Sequence, residues 1–178
     1  MKILYVDGVG PFGGASRSLY QLLKEIHPNI DKMYFFSVKG SSYDFYSKLS
    51  SEIVLNQGLT KFDNTKYSFY RGFRWIVLLR ELYYFPRTIY SVIRASKKFK
   101  DADIIHANEI TDIFSGLLFK LILGVPLIVH VRSVQRDNQS SLRTKVLNYI
   151  LERFVDQIIA IDENVKSSLK NTLNINYV

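Results

Sequence analysis

Cysteine is absent from the 178-residue chain, which excludes disulfide bonds and metal sites built on thiolates. Long hydrophobic runs are absent as well. The longest candidate, residues 104–131, is broken by His106, Asn108, Glu109, Asp112 and Lys120, so no stretch reaches the roughly 18 apolar residues that a membrane span requires. The opening MKILYVDG has neither the apolar core nor the cleavage site of a signal peptide. We therefore expect a cytoplasmic protein.

Acidic residues are scarce relative to basic ones, and the imbalance is confined to one segment. The chain has 24 Lys and Arg against 16 Asp and Glu, which gives a net charge of +8. Residues 61–100 hold ten of the basic residues and two of the acids, whereas the remainder holds 14 of each. The same segment carries 11 of the 25 aromatic residues, including the only tryptophan, Trp75. The positive charge therefore forms a basic aromatic patch, defined as residues 61–100.

Two interpretations of the basic aromatic patch remain open. In the first, basic helices with exposed rings bind anionic lipid headgroups and hold the protein peripherally at the inner face of the cell membrane. In the second, the rings belong to the core and the charges form an ordinary solvated surface. No nucleic-acid-binding motif accompanies the patch, so we expect no nucleic-acid partner. On the first interpretation the membrane-facing candidates are Arg71, Arg74, Trp75, Arg80, Arg87, Lys97 and Lys98.

Short apolar runs alternate with segments of helical periodicity along the whole chain. This alternation predicts βαβ units and a mostly parallel sheet covered by helices on both faces, a Rossmann-like three-layer sandwich. Pro86 at a first helical position predicts that the patch contains two separate helices. The predicted strands cover residues 3–7, 33–38, 52–55, 103–107, 126–131, 157–161 and 176–178. The predicted helices cover residues 15–26, 71–84, 86–99, 111–123, 142–154 and 164–172.

A glycine-rich loop follows the first predicted strand. Its residues 8–13 read GVGPFG, which matches the G-x-G-x-x-G pattern of dinucleotide-binding proteins. That pattern also requires an acidic residue at the end of the second strand, and here the strand ends Ser37-Val38-Lys39. Lys39 leaves binding of NADP open. Gly13 and Gly14 lie just before a helix, where bare backbone can approach an anion, although a glycine turn without a ligand is the alternative.

Four elements in order resemble the retaining family 4 glycosyltransferases of the GT-B fold. The first is Gly-Gly-Ala-Ser-Arg-Ser-Leu at residues 13–19, which opens a helix after a strand. The second and third are Asp-Ile-Ile-His-Ala-Asn at residues 103–108 and Leu-Gly-Val-Pro-Leu-Ile-Val-His-Val-Arg at residues 123–132. The fourth, Asp-Gln-Ile-Ile-Ala-Ile-Asp-Glu-Asn-Val at residues 156–165, has Asp162 where the family usually has serine. Asp caps a helix as well as Ser does, so this difference is small.

The resemblance implies roles for individual residues. His130 corresponds to the family histidine near the reacting sugar, which makes it the catalytic candidate. The candidates for binding the donor diphosphate are Gly13, Gly14, Ala15 and Arg132. The candidates for the acceptor side are His106, Asn108 and Glu109. The family needs no metal, and the resemblance implies no cofactor other than the nucleoside diphosphate sugar itself.

The resemblance also implies a domain organisation and an activity. Residues 1–178 would form the N-terminal, acceptor-side domain, and we expect a C-terminal donor-binding domain with an E-x₇-E signature that this chain lacks. The implied reaction is transfer of a sugar, with retention, to a glycan or lipid-linked acceptor in cell-surface polysaccharide or glycolipid synthesis. This domain alone is expected to be inactive. The alternative is a stand-alone Rossmann-like module that binds a nucleotide or NADP.

Overall fold

Seven strands form a single sheet, and each of the six strand pairings is parallel. The computed structural model describes residues 1–50, 52–66, 74–136, 138, 140–170, 173 and 175–177. The strands are β1 (Lys2–Asp7), β2 (Lys32–Val38), β3 (Ile53–Asn56), β4 (Ile104–Ala107), β5 (Leu127–Val131), β6 (Gln157–Ala160) and β7 (Ile175–Tyr177). Buried apolar residues dominate β1, β2, β4 and β5, as expected for a parallel sheet that is covered on both faces.

The strand order places a topological switch point in the sheet. The order is β3-β2-β1-β4-β5-β6-β7, so the chain moves outward from β1 to β3 and then returns to β4 on the other side of β1. The connections after β1 and β4 therefore leave the sheet in opposite directions. In open parallel sheets such a point opens a crevice at the carboxyl ends of the strands, where ligands bind. Here the crevice lies between the ends of β1 and β4.

Helices cover the two faces of the sheet unequally. The helices are α1 (Gly14–Ile26), α2 (Tyr43–Tyr46), α3 (Arg74–Lys98), α4 (Ile113–Leu123), α5 (Leu142–Phe154) and α6 (Glu163–Ser167). One face of the sheet packs against α1 and α2 through Leu19, Leu23 and Tyr46, and the other face packs against the remaining helices. A 3₁₀ turn, Ile110–Asp112, precedes α4. The Rossmann-like three-layer architecture predicted from the sequence is confirmed.

The prediction of two separate helices around Pro86 is wrong, because α3 continues through the proline over 25 residues. Proline removes one backbone hydrogen bond, the one that would reach the carbonyl of Leu82 four residues earlier. Pro86 is exposed and the Leu82 side chain is 60% exposed, so this part of the helix faces solvent and water can bind the freed carbonyl. Residues 71–73 of the predicted helix lie outside the described residues.

The other differences concern the short elements. The helix α2 was not predicted from the sequence, and α6 ends at Ser167 rather than at residue 172. Asp162 caps α6 by accepting a hydrogen bond from the amide of Val165 at 2.8 Å, which confirms the role given to it. Each strand boundary that is described lies within one residue of its predicted position.

Candidate functional site

The crevice at the switch point is bounded by the first turn of α1 and by the ends of β1, β4 and β5. Gly13 is the N-cap of α1 with an extended backbone, and Gly14 is its first helical residue. A methyl group added at Gly14 would meet no atom within 4 Å, and at Gly13 it would meet only the carbonyl of Pro11 at 4.0 Å. The first amides of a helix lack intrahelical partners and carry its positive dipole end. The amides of Gly14 and Ala15 therefore present an open anion-binding backbone, whereas the amide of Gly13 donates to the carbonyl of Pro11 at 2.8 Å and is not free for a ligand.

The earlier glycines of the loop serve packing. A Cβ at Gly8 would lie 2.1 Å from the Asp112 Oδ1 atom, and a Cβ at Gly10 would lie 2.6 Å from the carbonyl oxygen of Lys39. The corresponding atom at Gly40 would lie 2.2 Å from the carbonyl oxygen of Gly10. Two of the three glycines in the dinucleotide pattern thus allow close approach of protein groups, and the loop differs in purpose from the fingerprint that its letters match.

A second loop, residues 39–42, holds the glycine-rich loop in place. The amide of Ser42 donates to the Gly10 carbonyl at 3.1 Å, and the amide of Phe12 donates to the Ser41 hydroxyl at 3.0 Å. The ring of Phe12 also stacks on Phe45, with ring centroids 3.5 Å apart. These contacts fix the approach of the chain to Gly13 from two sides.

Asp7, at the end of β1, anchors the first turn of α1 from below. Its side chain is fully buried and accepts hydrogen bonds from the Ser16 hydroxyl at 2.8 Å and from the Tyr46 hydroxyl. Burial, followed by the charge of Asp7, raises the pKa of Tyr46, which therefore remains a donor. The sequence analysis did not identify this network. The sequence signal that could have predicted it is a carboxylate, Asp7, at the end of an apolar strand.

Arg132 joins three elements of the crevice. Its Nε donates to the backbone carbonyl and to the side-chain oxygen of Asn108, both at 3.1 Å, and its Nη1 donates to the Ser18 hydroxyl on α1 at 3.0 Å. The guanidinium thus extends from β5 over the end of β4 to the helix whose first turn carries the open amides. The structure brings Arg132 to the helix that was predicted to bind the diphosphate.

His130 is held in a single tautomer by its contact with Arg132. The Arg132 Nη2 lies 3.1 Å from the His130 Nδ1. Because a guanidinium only donates, the Nδ1 atom accepts and the proton of neutral His130 is on Nε2. Burial and the charge of Arg132 lower the pKa of His130 to about 4, so the ring is neutral at pH 7. Its Nε2 is buried and has no hydrogen-bond partner among the described residues.

His106 and Asn108 lie beside His130 at the end of β4. The rings of His106 and His130 are in edge contact, with centroids 5.9 Å apart. Burial, with smaller effects of His130 and Arg132, lowers the pKa of His106 to about 3. Within the described part of the chain, the His106 Nδ1 and the Asn108 Nδ2 are buried without partners. Buried polar atoms are normally hydrogen-bonded, so these two nitrogens have unused hydrogen-bonding capacity among the described residues.

Glu109 differs from the other acceptor-side candidates because its carboxylate is engaged within the protein. Its Oε1 accepts from the Ile110 amide at 2.8 Å and its Oε2 accepts from the Ser133 hydroxyl at 2.8 Å. Burial raises the pKa of Glu109, while these hydrogen bonds oppose the shift. The structure therefore gives Glu109 the geometry of a link between the ends of β4 and β5.

Asp112 gives the folding stability a pH dependence. Its side chain is fully buried, and burial raises its pKa from 3.8 to about 6 while the charge of Lys61 opposes the shift. A carboxyl whose pKa is raised on folding stabilises the fold below its unfolded pKa, and this contribution is lost as the pH rises through the folded pKa. Asp112→Asn should therefore increase the free energy of unfolding by about 1–3 kcal/mol at pH 7.5 and change it little at pH 4.

Urea unfolding of both proteins between pH 4 and pH 7.5 measures this difference. His106 and His130 are present in both proteins, so the difference between wild type and variant isolates the contribution of position 112. Asp44→Asn, at an exposed position on α2, controls for the loss of one negative charge. A wild-type-to-variant difference that is constant across this pH range contradicts the prediction.

The membrane-facing candidates of the basic aromatic patch follow α3. Arg71 lies outside the described residues, and only the backbone of Arg74 is described. Trp75 is 62% exposed, and the guanidinium groups of Arg80 and Arg87 lie over the rings of Tyr84 and Tyr83. The exposed Lys97 and Lys98 lie in the last turn of the helix. Helical spacing places five exposed apolar residues on one outward stripe: Trp75, Leu79, Leu82, Tyr90 and Ile93.

Among the helices that the structure describes, none combines the length and the hydropathy needed to cross a membrane. Across the described ranges, no three His, Cys, Asp or Glu side chains gather as a metal site would require.

A protein-family model described as Glycosyltransferase Family 4 matches residues 12–177. Solved structures with a similar fold include Anabaena Alr3699/HepE in complex with UDP, with 18% sequence identity and a TM-score of 0.68, covering 100% of this chain and 43% of that one. Acinetobacter baumannii MurG has 14% identity and a TM-score of 0.56, covering 98% of this chain and 44% of that one. The lipopolysaccharide outer core galactosyltransferase WaaB has 12% identity and a TM-score of 0.55, and the match covers 94% of this chain and 41% of that one. A search of curated protein sequences found no significant match.

Proposed function

The chain belongs to Glycosyltransferase Family 4, and we propose that it is the acceptor-side domain of an enzyme that transfers a hexosyl group with retention. The donor would be a nucleoside diphosphate sugar, and the acceptor a glycan or a lipid-linked sugar in cell-surface polysaccharide or glycolipid synthesis. The observation that carries this proposal is the open Gly13–Gly14 backbone at the start of α1, with Arg132 extending to the same helix. HepE has been solved with UDP-glucose, which supports a nucleotide sugar as donor.

The length of this chain, compared with that of similar solved structures, supports a two-domain organisation of the enzyme. The chain spans 43–44% of the HepE chains that it matches over its full length. We propose that a second, donor-binding domain with an E-x₇-E signature completes the enzyme, and that residues 1–178 alone do not catalyse transfer.

Loss of the nucleoside diphosphate leaving group is the step that this half of the crevice would assist. Negative charge accumulates on the diphosphate as the bond to the sugar breaks, and fixed donors stabilise that charge most effectively. The amides of Gly14 and Ala15 would bind one side of the diphosphate, and the absence of a side chain at Gly13 would leave room for it. Arg132 would supply a positive charge that is already oriented by Asn108 and Ser18. No metal or further cofactor is proposed for this chemistry.

The histidines would act as hydrogen-bond donors and acceptors in neutral form. The proton on the His130 Nε2 can be donated to a hydroxyl of the reacting sugar, because that atom has no partner among the described residues. His106 and Asn108 would bind acceptor hydroxyls through their unpartnered nitrogens. Glu109 would position the ends of β4 and β5 rather than contact the acceptor. The depressed pKa of His130 argues against a role as a general base at neutral pH.

The test is an assay of the complete reading frame that contains these residues. Purified protein is incubated with UDP-sugars and a lipid extract, and release of UDP and the anomeric configuration of the first product are measured. A retained configuration supports the proposal, and an inverted product or a reading frame that ends at Val178 contradicts it. The alternative NADP-binding module predicts a change in NADPH fluorescence on titration, which the transferase does not.

We also propose that α3 places the enzyme peripherally on the inner face of the cell membrane. Its outward stripe of exposed apolar residues is flanked by Arg87 and Arg94, so rings can enter the interface while cations meet anionic headgroups.

The fraction of protein that sediments with anionic vesicles should decrease as the salt concentration is raised. Leu79→Ser should weaken binding by roughly tenfold, because one buried leucine contributes about 1.5–3 kcal/mol. Leu121→Ser, at a 64% exposed position on α4, is the matched control. Equal binding to neutral and anionic vesicles would exclude the electrostatic part of the proposal.

A further inference from the structure

A second cavity lies beside the first residues of the glycine-rich loop. It encloses about 240 Å³ between residues 8–11, the end of β2, residues 57–61 and the helix α3. Among the residues that the structure describes, three cationic side chains line it, those of Lys39, Lys61 and Arg80, and no carboxylate does. No salt bridge joins any of the three to an acidic group within the described part of the chain. The sequence analysis left NADP binding open at Lys39 and named Arg80 as a membrane-facing candidate, but it did not bring the three cations together in one site.

Packing positions the cations around the cavity. The Arg80 guanidinium lies 5.5 Å from the centre of the Tyr84 ring, and this ring packs so closely on Gly58 that a Cβ there would lie 2.6 Å away. The backbone of Lys39 is fixed against Gly10 in the same way. Lys61 lies close enough to the buried Asp112 to lower its pKa, although Asp112 itself lies behind Gly8 and outside the lining. The cavity is therefore formed by the fold and has fixed walls.

Three like charges in one concave site repel one another and favour an anion between them. The volume is below the ~300–1,000 Å³ typical of pockets for drug-sized ligands, so it suits one charged group or one sugar residue. The loop that lines this cavity continues directly to Gly13 and Gly14. An anion bound here and a diphosphate at the start of α1 would lie at opposite ends of one short loop.

We propose that the acceptor carries an anionic group, either a phosphate or diphosphate or a sugar carboxylate, and that this cavity binds it. The inference rests on the proposed function, because only a transferase needs an acceptor beside the donor site. The acceptor hydroxyl would then project from the cavity past the glycine-rich loop toward the crevice. Charge on the acceptor becomes a determinant of specificity, since a neutral glycan would supply no counter-ion to the cations that line the cavity.

Amide chemical shifts of the isotopically labelled chain test the cavity directly. Sodium pyrophosphate and D-glucuronic acid are the anionic probes, and D-glucose is the neutral probe. We expect at least one anionic probe to shift the amides of Gly10, Lys39 and Gly58. Lys61→Gln and Arg80→Gln should each weaken that binding by roughly 3–10-fold, as expected for loss of one charge-assisted hydrogen bond in a partly solvated site. Lys97→Gln, on the same helix but outside the lining, should change it less than twofold.

The outcomes separate the sources and the hypotheses. Binding of pyrophosphate indicates a phosphate-bearing acceptor, and binding of glucuronic acid indicates a carboxylate-bearing one; either supports the proposal. Shifts confined to residues 13–16, or affinities unchanged in Lys61→Gln and Arg80→Gln, overturn it. In the complete enzyme, Arg80→Gln should raise KM for the acceptor and leave KM for the donor unchanged. Transfer activity with an unchanged acceptor KM refutes the cavity alone, whereas anion binding without any transfer refutes the proposed function alone.

Discussion

Arg132→Ala is expected to reduce kcat of the complete enzyme by about 10²–10³-fold, the range found when one fixed donor to a developing anion is removed. The guanidinium is held by Asn108 and Ser18 before any ligand arrives, so its charge needs no rearrangement during the reaction. Arg132→Lys keeps the charge but cannot reproduce the planar fork of donors, and should recover only part of the rate.

A second measurement distinguishes a role in the site from a loss of structure. Burial and the charge of Arg132 lower the pKa of His130 to about 4, so Arg132→Ala should raise that pKa in an NMR titration while Arg132→Lys should not. Arg153→Ala, at an exposed position of α5, controls for the loss of a surface arginine. Wild-type kcat in Arg132→Ala, with the expected change in the pKa of His130, would remove Arg132 from the catalytic proposal.

Gly40→Ala is expected to lower the free energy of unfolding by about 3 kcal/mol or more, at the upper end of overpacking effects. The new methyl group would lie 2.2 Å from the carbonyl oxygen and 2.3 Å from the carbonyl carbon of Gly10. Both partners are backbone atoms, so no side-chain rotation can relieve the clash. The two loops would have to separate, with loss of the hydrogen bond from the Ser42 amide to Gly10.

Gly14→Ala is the matched control for Gly40→Ala, because the same substitution should not destabilise the fold at this position. No atom lies within 4 Å of the added methyl group, and alanine in a helix is favoured over glycine by up to about 1 kcal/mol. The variant should be as stable as wild type or slightly more so. It should nevertheless raise KM for the donor, because the methyl group occupies the space through which a diphosphate approaches the amides. Urea unfolding and donor kinetics measured on both variants test the pair. A wild-type donor KM in Gly14→Ala would contradict the diphosphate assignment, and a wild-type stability in Gly40→Ala would contradict the packing of the loops.

The sequence predicted the sheet well because buried parallel strands leave a local signal. Runs such as residues 127–131 are almost continuously apolar, and glycine or proline punctuates their ends. The break at Pro86 was wrong because the effect of a proline depends on whether the freed carbonyl meets solvent, which a local pattern does not contain. The roles of His130, Arg132 and the open glycines remain predictions, although the structure brings these residues to one crevice.

Other features of the site depend on contacts between residues that are distant in the chain. Tyr46 is 39 residues from Asp7, and the sequence around either residue contains no pattern that predicts the hydrogen bond between them. Gly10 and Gly40 approach each other only because the loops after β1 and β2 meet at the same edge of the sheet. The cationic cavity likewise needs Lys39, Lys61 and Arg80 to converge from three segments. The basic aromatic patch contains Lys61 and Arg80, but the sequence does not distinguish them from the other eight basic residues of the patch.

The attachment of the glycine-rich loop to residues 39–45 has a consequence for binding. Stacking of Phe12 on Phe45 and the hydrogen bonds to Ser41 and Ser42 hold the loop in one shape before a ligand is present. Such a loop is preorganised, so binding of the proposed donor would lose little conformational entropy, and more of the energy of its contacts would contribute to affinity. Hydrogen exchange at the hydrogen-bonded amides of Gly8, Val9 and Phe12 should be slow without donor and change little when donor is added. The loop would then act as a fixed wall of the crevice, and any closure over the donor would have to come from elsewhere in the enzyme.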